Sequence, residues 1–361
     1  MNHVKTATGE TLLMSITTEK DSRLLGREPV TMSDLYPARD ETWLRAIREG
    51  ALPADLGELI CKFHPGENRT ADQLSGFTVE LGNAARSYRK SFPASCLAGV
   101  ARRGTLRLVK ETTLQEGDTF AYYLTALRNE NLDEPADQGH AHSARRRIVA
   151  PVFESRPLAP LLADSAALHG NWASADDDDS FPPVFVPEAI WRQGQAEARR
   201  GGDNESAGVW TGRMYRDTAS SEIFLVVDAC LQAELASEEK YAVRFTGETW
   251  SRLRDTVNIR REKLQRPHER ILGSVHGHNF CPDADDQGTR TCEHCHTVKV
   301  CTRTTAIASP ADLDWHRSVF VAQPWALLMV WGFNAREQDD WRLYGLNGGT
   351  LSPRGVRVMQ Q

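Results

Sequence analysis

Two histidines one residue apart, His276 and His278, close an apolar run, Ile271-Leu272-Gly273-Ser274-Val275. Residues i and i+2 of a strand point to one face, so both imidazoles can serve one ion. A carboxylate brought to that face makes three ligands, a set that suits zinc with its fourth position open to water. Surface or loop histidines are the alternative for so short a motif, and what surrounds the pair gives it weight. Downstream lies Ser309-Pro310-Ala311-Asp312; upstream lies Glu205-Ser206-Ala207-Gly208-Val209-Trp210-Thr211-Gly212. Between His278 and Ser309 the chain carries Cys281, Cys292, Cys295 and Cys301, with His294 and His296 among them. Cys292-Glu293-His294-Cys295 is a CxxC, and with Cys281 and Cys301 it reads as a structural zinc knuckle; free or redox-active thiols are the alternative.

The elements that must hold these groups follow from periodicity. Val184–Val186 reads as a short strand, followed by a helix from Pro187 to Arg200 that stops at Gly201-Gly202. Glu205 leads into a strand whose glycines allow close backbone approach. Ile223–Val227 is a buried strand, and Trp250, Leu253, Val257 and Leu264 mark one face of a helix. Arg266-Pro267 ends that helix and the HxH strand follows. Beyond Asp312 a helix runs through Trp315, Val319 and Phe320 towards Pro324, then strands follow over Trp325–Trp331 and Arg342–Leu346. The expected order is β-α-β-β-α-β, an insert at 279–305, then α-β-β: an α/β sandwich around one sheet.

Length and composition set the frame. A chain of 361 residues has room for two domains, and 40% hydrophobic with 25% charged residues is ordinary for a globular protein. A net charge of -6 argues against a general nucleic-acid binder. No apolar run approaches the ~20 residues needed to span a bilayer, and Met1-Asn2-His3-Val4-Lys5 lacks the apolar core of a signal peptide. The expectation is a cytoplasmic protein without membrane partners. Four of the seven cysteines lie between 281 and 301, which favours thiols and metal over a disulfide framework.

Residues 1–157 read as an α+β domain of unassigned role. A helix is expected over Asp40–Glu49, strands over Gly76–Leu81 and Thr119–Leu124, and a helix over Arg86–Val109 interrupted by Pro93 and Gly99. His140-Ala141-His142 is a second HxH, but no apolar strand leads into it and Arg145-Arg146-Arg147 follows, so it reads as loop. Cys61 and His64 resemble a nucleophile–base pair only in type; a buried cysteine is the simpler reading. Residues 158–183 read as a linker, with the self-repelling run Asp176-Asp177-Asp178-Asp179 and Phe181-Pro182-Pro183 at its end. The second domain is placed at 184–361.

The order Glu in ExxGxxxG, strand, helix, HxH, SxxD resembles the JAMM (JAB/MPN) zinc isopeptidase family, of prokaryotic type, over roughly residues 184–350. The resemblance implies a JAB/MPN, cytidine-deaminase-like α/β sandwich, here with an inserted Cys-rich zinc knuckle. It implies His276, His278 and Asp312 as ligands of a catalytic zinc, Glu205 as general base and Ser309 as a donor to the oxyanion. The plainer roles of a solvated carboxylate for Glu205 and a helix N-cap for Ser309 stand beside these. The implied activity is cleavage after the C-terminal tail of a ubiquitin-like protein, freeing it from conjugates or maturing its precursor. Implied partners are that modifier, its conjugates and the conjugation enzymes of the same system. A catalytically silent scaffold, and a hydrolase of small peptides or sulfur-carrier proteins, are the other readings. Two features depart from the family: His276-Gly277-His278-Asn279 stands where HSHP or HTHP is usual, and the gap from His278 to Ser309 is much longer. A nucleoside deaminase also combines zinc with CxxC, but it needs HxE and a proline before the first cysteine, and Thr291 stands there.

Overall fold

The computed structural model describes residues 4, 6–7, 9–53, 60–66, 69–70, 73–83, 85–115, 117–127, 152–169, 181–220, 222–240, 242–280, 303–320 and 323–360. The chain divides into two compact units, one of residues 1–150 with Gly348–Thr350, the other of 151–347 with 351–361. His140, His142, Arg145–Arg147, Asp176–Asp179, Cys281, Cys292, Cys295 and Cys301 lie outside the described residues. Among the described residues no helix is long and apolar enough to cross a membrane.

The first unit opens with a hairpin, β1 (Thr11–Thr18) and β2 (Leu24–Pro29), followed by α1 (Met32–Arg48). Then come β3 (Ile60–Pro65), β4 (Arg69–Thr70), β5 (Gln73–Leu74), β6 (Gly76–Gly82), β7 (Ser87–Pro93), α2 (Ala98–Lys110) and β8 (Phe120–Leu127). They form a five-stranded sheet, β2-β1-β8-β5-β4, and a three-stranded one, β3-β6-β7. The single helix expected over 86–109 is instead a strand and then a helix. Ser87–Gly82 and Pro93–Gly76 bound a full antiparallel ladder with β6, and α2 begins only after Pro93, which cannot donate within a helix. Cys61 is buried on β3, and burial pushes its thiol up to about 12, which removes it as a nucleophile. His64 is bonded to Glu80 at 2.9 Å.

The second unit is a mixed α/β fold. Its elements are β9 (Glu154–Ser155), α3 (Ala159–Ala163), β10 (Ser165–Leu168), β11 (Val184–Pro187), α4 (Glu188–Arg199), β12 (Ala207–Arg216) and β13 (Ile223–Gln232). The chain continues with β14 (Ser237–Glu239), β15 (Ala242–Arg244), α5 (Gly247–Lys263), β16 (Arg270–Gly277), α6 (Pro310–Val319), β17 (Leu327–Phe333), β18 (Asp339–Asn347), β19 (Thr350–Arg354) and β20 (Val356–Met359). The central sheet runs β10-β20-β11-β13-β12-β16-β17-β18-β19, with β9 beside β12.

The second unit begins earlier than position 184, and residues 158–168 are not linker. Leu158 and Leu161 pack with Phe185, Tyr215 and Phe224, and Ser165–Leu168 pairs antiparallel with Val356–Met359. The signal was weak because β10 is an edge strand with neither face fully buried, so it lacks hydrophobic alternation.

Central strands read as continuous apolar runs because helices or further elements cover both faces. Val184, Phe185 and Ile223–Leu225 are each no more than 1% exposed. α5 turns Leu253 and Val257 inward, and its start is fixed by Thr246, whose hydroxyl accepts from the Thr249 amide at 3.1 Å.

Candidate metal centre

Sheet register brings the candidate ligands together. β12 and β16 are antiparallel with Ala207 opposite His276. Two residues further out on each strand stand Glu205 and His278, and these face each other across the same ladder's extension: the Glu205 Oε1 to His278 Nε2 distance is 3.7 Å. On the other side β16 runs parallel to β17, and the His278 amide donates to the Trp331 carbonyl at 2.8 Å. Asp312 arrives from the first turn of α6.

His276 and His278 are buried, and their Nε2 atoms lie 3.2 Å apart. Asp312 Oδ1 is 3.5 Å from His276 Nε2, and its Oδ2 is 3.7 Å from His278 Nε2. Ligands ~2.0–2.1 Å from a tetrahedral ion stand ~3.3–3.4 Å from one another; the closest pairs here, 3.2, 3.5 and 3.7 Å, lie near that spacing, the two from Asp312 being made by different carboxylate oxygens. His276, His278 and Asp312 form a group of metal-ligating type by this geometry.

Hydrogen bonding decides which nitrogen faces the centre. His278 Nδ1 lies 2.7 Å from the Thr305 carbonyl. A carbonyl only accepts, so Nδ1 carries the proton and the Nε2 lone pair points at His276 and the carboxylates. Burial, then the neighbouring His276, depress the His278 pKa to about 4, keeping the ring neutral and able to ligate. Burial pushes the Asp312 carboxyl upwards, but the His276 hydrogen bond and charge, with Ser309, overcome it and hold the group well below the usual carboxylate range. A neutral imidazole and an ionised aspartate are the protonation states a metal ion requires.

Ser309 and Asp312 hold each other in a capping box. The Ser309 amide donates to Asp312 Oδ2 at 2.7 Å, and the Asp312 amide donates to Ser309 Oγ at 3.2 Å. This satisfies two otherwise open amides of α6 and fixes the aspartate rotamer. The Ser309 hydroxyl also donates to the Asp312 carboxylate, so donation to any other oxygen requires it to turn away from that bond.

Glu205 sits in the turn between α4 and β12, 4% exposed, and among the described residues no donor hydrogen-bonds its carboxylate. Burial raises its pKa to about 7, with His276 lowering and Asp312 raising it. Its turn is braced from both ends. The Ser206 hydroxyl donates to the Glu197 carbonyl at 2.7 Å and accepts from the Gly201 amide at 3.1 Å. The Asn279 amide group donates to the carbonyls of Ala198, at 3.2 Å, and Asn204, at 2.8 Å.

Sequence reasoning named Glu205, His276, His278, Ser309 and Asp312, and the structure brings all five to one place. It missed the supporting residues Thr305, Asn279 and His316. In the sequence Asn279 stands out only as a departure from a proline. His316, one turn beyond Asp312, is buried with its Nδ1 unbonded and its ring 4.7 Å from that of Phe320. Burial, then Arg317 and His276, press its pKa down to about 3. Gly277 has a structural reason: a Cβ there would stand 1.9 Å from the Ala198 carbonyl of α4.

No family model matches the chain and no curated protein matches it. Among solved structures, the solution structure of protein DSY2949 from Desulfitobacterium hafniense is similar at 14% identity and a TM-score of 0.32, covering 49% of this chain and 94% of that one.

Proposed function

We propose that the second unit is a JAMM (JAB/MPN)-type zinc metallopeptidase acting on the C-terminal tail of a ubiquitin-like protein. The observation that carries this reading is the convergence of His276, His278 and Asp312 on one point with a buried carboxylate outside the set, Glu205, 3.7 Å from His278. The choice of substrate rests on the family resemblance in the order of these residues.

Zinc held by His276, His278 and Asp312 would lower the pKa of water towards ~7 and polarise the scissile carbonyl. Glu205 takes the proton from the attacking water and returns it to the leaving amine, a role that needs a carboxylate close to, but not among, the ligands. Its pKa is about 7 without a metal ion, and a bound cation would favour the carboxylate, the form that accepts the proton. The Ser309 hydroxyl donates to the developing tetrahedral oxygen, a contact worth ~2.7–4 kcal/mol in comparable sites. Thr305 keeps the His278 tautomer and Asn279 keeps the Glu205 turn in place. A second, structural zinc on Cys281, Cys292, Cys295 and Cys301 belongs to the same proposal.

The test is cleavage of ubiquitin-like fusions ending in glycine by purified protein, with and without chelator, beside Glu205→Ala. Cleavage that needs metal and Glu205 supports the reading; cleavage that survives both treatments overturns it. Metal analysis of a His276→Ala/His278→Ala double variant should show one zinc lost and the other kept. Unchanged zinc content would remove the catalytic site.

A further inference from the structure

At the far end of β16 from the histidines lies a cavity of about 630 Å³, open to solvent, between α5, the start of β16 and the segment after α6. Arg270 and His276 are six residues apart on one strand, which separates the cavity from the metal centre by roughly 20 Å.

The cavity wall is unusual in its charge. Arg254, Arg261 and Arg270 all line it, and among the described residues no aspartate or glutamate does. Arg270 is half-buried, its Nε has no hydrogen-bond partner, and among the described residues it has no ion pair. Arg254 likewise has neither a hydrogen bond nor an ion pair among the described residues. Arg261 spends its Nε on the Glu269 carbonyl and one terminal nitrogen on Asn258, neither of which neutralises it. Glu269, next to Arg270 in the chain and buried, takes Arg260 and Thr211 on Oε1, while its Oε2 has no hydrogen-bond partner. Burial, and then the like charge of Arg261, lower the Arg270 pKa. A guanidinium partly withdrawn from water without an anion, as Arg270 is, carries a cost, which an anion in the cavity would offset.

The remaining walls are flat and apolar. Trp250, Phe320 and Trp325 line the cavity, and the Arg270 guanidinium lies 5.7 Å from the centre of the Trp325 ring. Asn258 and Gln323 place amide groups at the edges. Guanidinium forks match phosphate bidentately, and indole and phenyl faces take up a planar ring.

We propose that this cavity is a binding site for a nucleoside phosphate, with the phosphates on Arg254, Arg261 and Arg270 and the base against the Trp250, Phe320 and Trp325 wall. α6 links it to the metal centre: Asp312 stands in its first turn and Val319 and Phe320, at its other end, line the cavity.

The experiment is a calorimetric titration of the full-length protein with ADP, and separately with adenosine and with inorganic phosphate, followed in parallel by tryptophan fluorescence. Saturable one-to-one binding of ADP is expected, at least ~10-fold tighter than either fragment, weakening as salt is raised. Arg254→Ala, at an exposed position, should weaken ADP binding at least ~10-fold with an unchanged melting temperature, and Arg270→Met should weaken it further. The idea is overturned by no saturable ADP binding, by phosphate binding as tightly as ADP, or by affinity unchanged in both variants. An acidic peptide that binds where ADP does not also overturns it. None of these readouts uses peptide cleavage, so they stand or fall apart from the metallopeptidase reading.

Discussion

Glu205 is a carboxyl that holds its proton to about pH 7 because burial disfavours its charge, and a base must first be empty. If it is the general base, kcat/KM should rise with pH along an acid limb set by this group; a bound cation favours the carboxylate and moves the inflection below 7. Glu205→Gln should remove the limb and cost ~10²–10⁴-fold in rate, while zinc content stays unchanged; a pH–rate profile of both proteins checks this. In chelator the same substitution acts on stability. A carboxyl raised in the folded state binds more protons there than in the unfolded chain between pH 4.5 and about 7, so stability falls as pH rises through that window. His316 has the opposite sign. Its folded pKa is depressed from 6.5 to about 3, so the unfolded chain binds more protons and stability is lost as pH falls through that range. His316→Leu should make urea-unfolding free energy, measured in chelator, fall less steeply between pH 6.5 and 4 than it does in the unmodified protein.

The elements make the centre rigid at a few identifiable contacts. Ser309→Ala removes the α6 cap and should cost about 1 kcal/mol, together with metal affinity through the released Asp312. Ser309→Asp keeps an accepting oxygen for the Asp312 amide but has no hydroxyl donor when ionised. Denaturant melts should therefore place Ser309→Asp near the unmodified protein, and cleavage assays should find both variants impaired if the hydroxyl serves the oxyanion. Gly277→Ala should drive β16 from α4, since the new methyl meets a backbone carbonyl that cannot turn aside; zinc analysis should show a site lost or weakened.

The order of strands and helices around these contacts was legible because each carried its own period: the run at Ile223, the face at Leu253 and Val257, the HxH strand. Ser309 and Asp312 were legible because a capping box is written in adjacent residues. Thr305 was not, because its part is played by a backbone carbonyl, which any residue type supplies. Nor was the strand at Ser87–Pro93, where pairing with β6 overrode a sequence that reads as helix.

At the scale of the whole molecule, the two compact units and a candidate metal centre whose residues all belong to one of them predict an uneven response to zinc. An ion that binds only the folded state stabilises it by ~4 kcal/mol at a thousandfold excess over Kd. Scanning calorimetry should show zinc raising the transition of the unit containing residues 151–347, and His276→Ala should abolish the rise that belongs to this centre.

The chain between His278 and Thr305 leaves and re-enters at two anchored points that touch each other. Asn279 is tied to Ala198 and Asn204, the Thr305 hydroxyl donates to the His278 carbonyl at 3.3 Å, and the His278 ring reaches back to the Thr305 carbonyl. A loop sewn shut at its base can grow for ~0.6 kcal/mol per doubling of length. His278 and Thr305 are thus placed by bonds that do not pass through the residues between them, and a change in the length of that segment should leave both where they stand.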